Sequence, residues 1–328
     1  MQYRKLGKSG MEISEISLGT WQVGGKWGSG FDDKLADRIL NTAIDQGINF
    51  IDTADIYEGG MSETAVGRVV NSRSENVYIA TKCGRALQPH ESAGYTPKAL
   101  RQFVEDSLKR LKVERLDLIQ LHCPPTEIYY RPDVFEVFQI MQDEGKIRGL
   151  GVSVEKVEEG LKAMEYDNVT SLQIIYNIFR QRPNENLFRI AQEKDVGIIV
   201  RVPLASGLLT GQYNAETFFD QGDHRFFNRE GAGFDKGETF SGVPYGIGLE
   251  AVEELKKLFP AYVNLAPIAL RWILQSSGVT TVIPGASRVE QVISNLKALE
   301  TPEIGNKQLQ KINQIYDRFI KKEVHQLW

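Results

Sequence analysis

Few features of this 328-residue sequence suit a secreted, membrane-spanning or nucleic-acid-binding protein. Cysteine is scarce: Cys83 and Cys123 are the only two, too few for a disulfide framework, and this points to a reducing compartment. No apolar run approaches the roughly 20 residues needed to cross a bilayer. The opening MQYRKLGKSGMEISEISLG lacks the unbroken apolar stretch of a signal peptide, so a cytoplasmic protein is expected. The net charge of -4 leaves no basic excess for nucleic acid, and an anionic cofactor would need a local basic site. Zinc motifs of the HExxH and CxxC type are missing, as are a GxSxG elbow and a Walker loop, so no metal is expected. The GxGxxG order of an open dinucleotide-binding sheet is also missing after the first apolar run, where the sequence is GTWQVGGKWGSG. The nearest match, GAGFDKG at 231–237, follows no strand.

What is present is an alternation. Short apolar runs at 13–20, 48–54, 76–82, 116–122, 147–153, 171–177, 196–202 and 279–285 read as buried strands. Between them lie amphipathic stretches. Thr96 and Pro97 open PKALRQFVEDSLKRL as N-cap and first-turn proline. Pro132 opens PDVFEVFQIMQDEG, which stops at Gly145. Further helices are expected at 155–164, 184–193 and 287–296. Eight strands, most followed by a helix, predict a (β/α)8 TIM barrel, read as one domain over 1–328. The repeat is broken twice. YRKLGKSGMEISEI predicts an N-terminal β-hairpin turning at Lys8-Ser9-Gly10 and placed to plug one end of the barrel. A long loop over 203–247 follows the seventh strand and is long enough to be a lid.

In such a barrel the active site lies at the carboxyl ends of the strands. Asp52, Lys82 and His122 end the second, third and fourth strands, and Tyr57 follows Asp52 by five residues. An ionisable group after a buried run is costly unless paired, and Asp52 can pair Lys82. A phenol beside the Lys82 ammonium is expected to have a lowered pKa and to serve as an acid at neutral pH. His122 can hydrogen-bond a carbonyl oxygen. Taken singly, each residue suits a structural salt bridge, a core histidine or a surface tyrosine. All four on successive strand ends suit protonation of a carbonyl oxygen as hydride reaches its carbon. Cys83 and Cys123 read as packed thiols.

At these residues the chain resembles an aldo-keto reductase, from YRKLG to about Asn295. FIDTADIYEGGMSETAVGR, SLKRLKVERLDLIQLH, GKIRGLGVS, VPLASGLLTG and IPGASRVEQVISN carry the resemblance, in the family's order. It implies a barrel enzyme with a catalytic tetrad of Asp52, Tyr57, Lys82 and His122, in which Tyr57 is the general acid and no metal is needed. It also implies an extended nicotinamide cofactor, NADP(H) with NAD(H) as the alternative. Ser153 and Gln173 would hold the carboxamide. Gly19, Thr20, Trp21 and Arg201 would line the nicotinamide end. Pro203, Leu204, Ser206, Gly207, Leu208 and Gly211 would wrap the pyrophosphate. Gly285, Ser287, Arg288, Gln291 and Asn295 would take the adenosine end, with Arg288 at a helix N-terminus suited to a 2′-phosphate.

The sequence departs from the family pattern at four places. Val154 replaces an asparagine, Arg201 replaces a stacking aromatic, Gln212 replaces a lysine, and Ser287 replaces a second basic residue. The substrate pocket is expected to involve Trp21, Tyr57 and His122, with Trp27, Tyr129, Tyr130 and the 203–247 loop around them. The expected partner is a small carbonyl or alcohol. An NAD-linked sugar or polyol dehydrogenase and a channel-associated, cofactor-sensing subunit are the alternatives.

Overall fold

The computed structural model describes residues 1–25 and 30–328. Ten strands occur among them: β1 (Tyr3–Lys5), β2 (Glu12–Ser14), β3 (Leu18–Gly19), β4 (Phe50–Asp52), β5 (Tyr78–Cys83), β6 (Leu116–His122), β7 (Ile147–Ser153), β8 (Val169–Ile175), β9 (Gly197–Arg201) and β10 (Thr281–Val282). Strands β3 to β10 pair in parallel in chain order. Bridges from Ile16 to Val282 and from Gly19 to Gly285 bring the two edges together, so the sheet is a nearly closed (β/α)8 barrel.

Strand periodicity explains the two sides of the wall. Ile51, Ile79, Ile119, Leu121, Val152, Leu172, Ile174, Ile198 and Val200 pack outward with the helices in the larger core. Phe50, Ala80, Leu118 and Ile199 point inward and form a second apolar cluster. Two residues further along the same strands, on the same inward face, stand Asp52, Lys82, Gln120 and Arg201. The barrel interior therefore changes from apolar to polar within one layer, toward the carboxyl ends.

The apolar end is closed by the expected hairpin, β1–β2. Leu6, Met11 and Ile13 are fully buried against the inward Phe50, Ala80, Leu118 and Ile199. The hairpin also corrects the first expected strand. Of the run 13–20, Ile13 and Ser14 belong to β2 and only Leu18–Gly19 to the barrel, because β2 has already used its backbone groups on β1.

The helices follow their sequence signals. Thr96 accepts the N–H of Ala99 at the start of Pro97–Leu111, and Pro132–Asp143 ends just before Gly145. The long loop has local structure: the 3-10 segment Ala205–Thr210, the short helix His224–Phe227, and the 3-10 turns Lys236–Glu238 and Phe240–Gly242. It is tied down by the chain's last residues. Trp328 stacks on the guanidinium of Arg180 at 3.8 Å, and its indole N–H donates to Asp235 at 3.0 Å. No helix among the described residues is long and apolar enough to cross a membrane.

Candidate active site

Lys82 lies at the centre of the polar layer. All three donors of its ammonium are used: one to Asp52 Oδ1, one to the Thr53 carbonyl at 2.8 Å and one to the Tyr57 hydroxyl oxygen at 3.1 Å. Asp52 and Lys82 are 2% and 1% exposed, so the pair is dry and each member depends on the other. The second carboxylate oxygen, Asp52 Oδ2, accepts the side-chain amides of Gln120 at 2.9 Å and Gln173 at 2.8 Å.

Tyr57 stands over this group, held by the sharp turn that follows β4. Glu58, Gly59 and Gly60 all adopt left-handed backbone there. The turn is anchored from behind by the buried Glu63, which accepts the Thr81 hydroxyl and pairs with Arg110. His122 meets the Tyr57 ring edge-on, 6.0 Å between centroids. His122 Nδ1 is buried without a hydrogen-bond partner among the described residues. Nε2 is thus the nitrogen left to face the cavity.

The electrostatics differ from the sequence expectation at one point. Burial raises the Tyr57 phenol above the usual tyrosine range, and the opposing pull of Lys82 does not cancel it. The expected lowering is therefore overturned: desolvation of the phenolate outweighs one neighbouring cation that is itself neutralised by Asp52. For Lys82, burial works against the charge, but Asp52 and Tyr57 outweigh it and raise the ammonium. Burial, then Lys82, Arg85 and Arg201, push His122 far below the ordinary histidine range, so its ring is neutral.

From Tyr57 and His122 a single cavity of about 860 Å³ runs over the strand ends to the far side of the barrel. Gly19, Thr20, Trp21, Asp52, Gln173 and Arg201 line its inner end, and Pro203, Leu204, Ser206 and Gly207 its middle. Arg288, Gln291 and Asn295 line its outer end, and Gly285, bridged to Gly19, also lines the cavity. Its middle is strained backbone, with Val202, Ala205 and Ser206 at positive φ. Gly207 is required there: at φ +99°, a Cβ would lie 2.3 Å from the Tyr213 hydroxyl.

The other expected residues stand just behind the wall. Ser153 is buried, its Oγ 3.5 Å from Cys123 Sγ. Leu208 is core, Gly211 ends the 3-10 segment, and Ser287 gives both its N–H and its hydroxyl to Gln291 Oε1. Two departures from the family pattern do line the cavity: Arg201, which lies against the Val154 carbonyl (3.2 Å) and Cys123 Sγ (3.5 Å), and Gln212, which donates to the Val263 carbonyl. Two expected pocket residues are corrected. Tyr129 is buried core, and Tyr130 is exposed beside Lys162, because the 3-10 turn Thr126–Tyr130 faces the helices rather than the cavity. Trp27 lies outside the described residues.

The structure adds residues that the sequence reading missed. Glu238, from the lid, pairs with Arg85 at 2.9 Å and Arg201 at 3.6 Å. Phe234 and His224 pack edge-on and tilted against Trp21. Strand alternation could have flagged Gln120, two residues before His122 on the same face. No local pattern announces Glu238 or Phe234. Among the described residues the nearest approach to a metal site is Cys123, Glu155 and Glu238. It suits a cation poorly: Arg85 and Arg201 hold Glu238, while burial pushes Cys123 up to about 11 and Glu155 to about 7.

A parallel eight-stranded barrel with its cleft over the carboxyl ends of the strands is the architecture of a barrel enzyme. The sequence comparisons narrow the class. The model described as "Aldo/keto reductase family" matches residues 15–317, and the chain belongs to that family. It is 31% identical to the aldo-keto reductase YhdN of Bacillus subtilis, over 89% of this chain and 87% of that one. It is 27% identical to the NADH-specific methylglyoxal reductase of Escherichia coli, over 90% and 92%. Among solved structures, the glycerol dehydrogenase AKR11B4 of Gluconobacter oxydans superimposes with a TM-score of 0.78 at 28% identity, covering 97% of this chain and 96% of that one.

Proposed function

We propose that this oxidoreductase reduces aldehydes or ketones with NADP(H), and that Tyr57 is the acid that protonates the carbonyl oxygen. The observation that carries this reading is the hydrogen-bonded series Asp52–Lys82–Tyr57 at the inner end of a cavity long enough for a dinucleotide. A bound nicotinamide cofactor would supply the hydride. The chain's residues do the rest. Neutral His122 offers Nε2–H to the carbonyl oxygen and orients it beside the Tyr57 hydroxyl. Tyr57 then gives up its proton, and Lys82, already in contact, stabilises the phenolate until solvent returns it. Trp21 and Phe234 form an apolar wall that excludes water from the reacting carbon.

The residues present fit the cofactor. Gln173 lines the inner cavity and suits a carboxamide, the 203–211 backbone suits a pyrophosphate, and Arg288 suits a 2′-phosphate. Glu290 lines the same outer end as Arg288 and is the observation that favours NAD(H) as the second reading. The polyol dehydrogenase alternative uses the same site in reverse.

Tyr57→Phe tests the proposal. Turnover of a simple aldehyde should fall by about 10²–10⁴-fold, while NADPH binding, read by fluorescence, stays. Full turnover in this variant would overturn the assignment. Since burial keeps the phenol protonated, reduction should be level through neutral pH and fall only in alkali, and alcohol oxidation should rise with pH.

A further inference from the structure

We infer that Gln120, which touches neither the cavity nor Tyr57, is a positioning residue that couples the proton-donating group to the nicotinamide end of the cofactor site. The inference rests on the carbonyl-reductase reading above.

Gln120 is fully buried inside the barrel. Its Nε2 donates to Asp52 Oδ2 at 2.9 Å, and its Oε1 accepts Gln173 Nε2 at 3.1 Å. Gln173 Nε2 also donates to Asp52 Oδ2, at 2.8 Å. An ionised carboxylate only accepts, so both amide NH₂ groups must face Asp52. That requirement sets the orientation of both side chains. With both N–H bonds of Gln173 engaged by Asp52 and Gln120, its Oε1 is the atom left for the cavity. An oxygen there can accept from the NH₂ of a carboxamide, whereas a flipped amide would oppose it with another NH₂.

Room for this arrangement comes from β7. A Cβ at Gly151 would lie 3.0 Å from Gln120 Cγ and 2.5 Å from Ser171 Oγ. The same Asp52 oxygen thus depends on Gln120 and Gln173, while the other oxygen pairs Lys82. Without the Gln120 amide, Asp52 loses a donor and Gln173 has one N–H with no acceptor in a dry interior, so Gln173 is held by its bond to Asp52 alone and its Oε1 is less firmly aimed at the cavity.

Two variants test this. Gln120→Met keeps length and removes both hydrogen-bonding groups. Its affinity for intact NADPH should weaken about tenfold, while its affinity for 2′-phospho-ADP-ribose, which has no nicotinamide, stays at the wild-type value. Gln120→Glu keeps the shape but sets a second carboxylate against Asp52, which raises the pKa of the pair so that one proton is taken up as pH falls. Its NADPH affinity and turnover should recover as pH falls, because a protonated Glu again offers one donor and one acceptor. The wild type should show no such rise.

Folded Gln120→Met with wild-type NADPH affinity, or Gln120→Glu with the wild-type pH profile, would overturn the coupling. If Gln120→Met does not fold, the Gln120→Glu profile decides alone. Wild-type protein that binds no nicotinamide cofactor would instead bring down the functional reading itself.

Discussion

At the inner end of the cavity Lys82 and Asp52 are almost wholly enclosed, and their hydrogen-bond partners come from the barrel strands and from the turn that directly follows β4. At the outer end Arg288, the N-cap of the helix Val289–Leu296, and Glu290 on its first turn are exposed, and the cavity roof comes from a loop held by Trp328. The inner end is set by strand register, which cannot shift without inverting the sheet's faces. The outer end is set by side chains that solvent can reorganise. Breaking the enclosed inner pair should therefore cost more than a substitution at the exposed outer end.

Lys82→Met should have the largest effect. It leaves the buried Asp52 carboxylate unpaired, with a loss of about 3–5 kcal/mol in denaturant unfolding and of nearly all turnover. A stable, active variant would contradict the dry pair. Trp328→Ala comes next. It removes the ring on Arg180 and the bond to Asp235 and should cost about 3 kcal/mol, read as a lowered melting temperature and a raised KM from a loosened lid. Unchanged KM would show that the lid holds without the tail.

Arg288→Leu tests the outer end directly. NADPH affinity should drop about tenfold, the scale of one lost charge-assisted hydrogen bond, and NADH affinity should hardly change. Equal losses for both would remove the 2′-phosphate role.

The smallest effect concerns Asp55. Burial, then Glu63, raise its carboxyl to about 7. Between its ordinary range, near ~4, and about 7, the folded chain holds a proton that the unfolded chain has released. Stability therefore falls as pH rises across that window. Asp55→Asn should be more stable than the wild type above pH 7, by a few degrees in melting temperature, and should lose that advantage near pH 4. Glu155, raised similarly to about 7, keeps part of the slope in the variant.

Much of the inner end was legible in the sequence because strand ends are legible. Asp52, Lys82 and His122 each close an apolar run, and the structure brings them together with Tyr57. Gln120 escaped notice because a neutral amide within an apolar run carries no charge to mark it, although it lies on the inward face. The direction of the Tyr57 shift escaped as well, since sequence shows the neighbouring cation but not the burial that outweighs it. Tyr129 and Tyr130 were misplaced because the facing of a loop depends on what it packs against.

Local sequence determined the barrel, its hairpin plug, the helix boundaries and the polar strand ends, because periodicity, caps and the cost of burying charge all act within a few residues. Tertiary structure alone decided that Glu238 of the lid reaches Arg85 and Arg201, that Trp328 ties down that lid, and that two amides share one oxygen of Asp52. These contacts join residues far apart in the chain, and only the closing of the barrel brings them within hydrogen-bond distance.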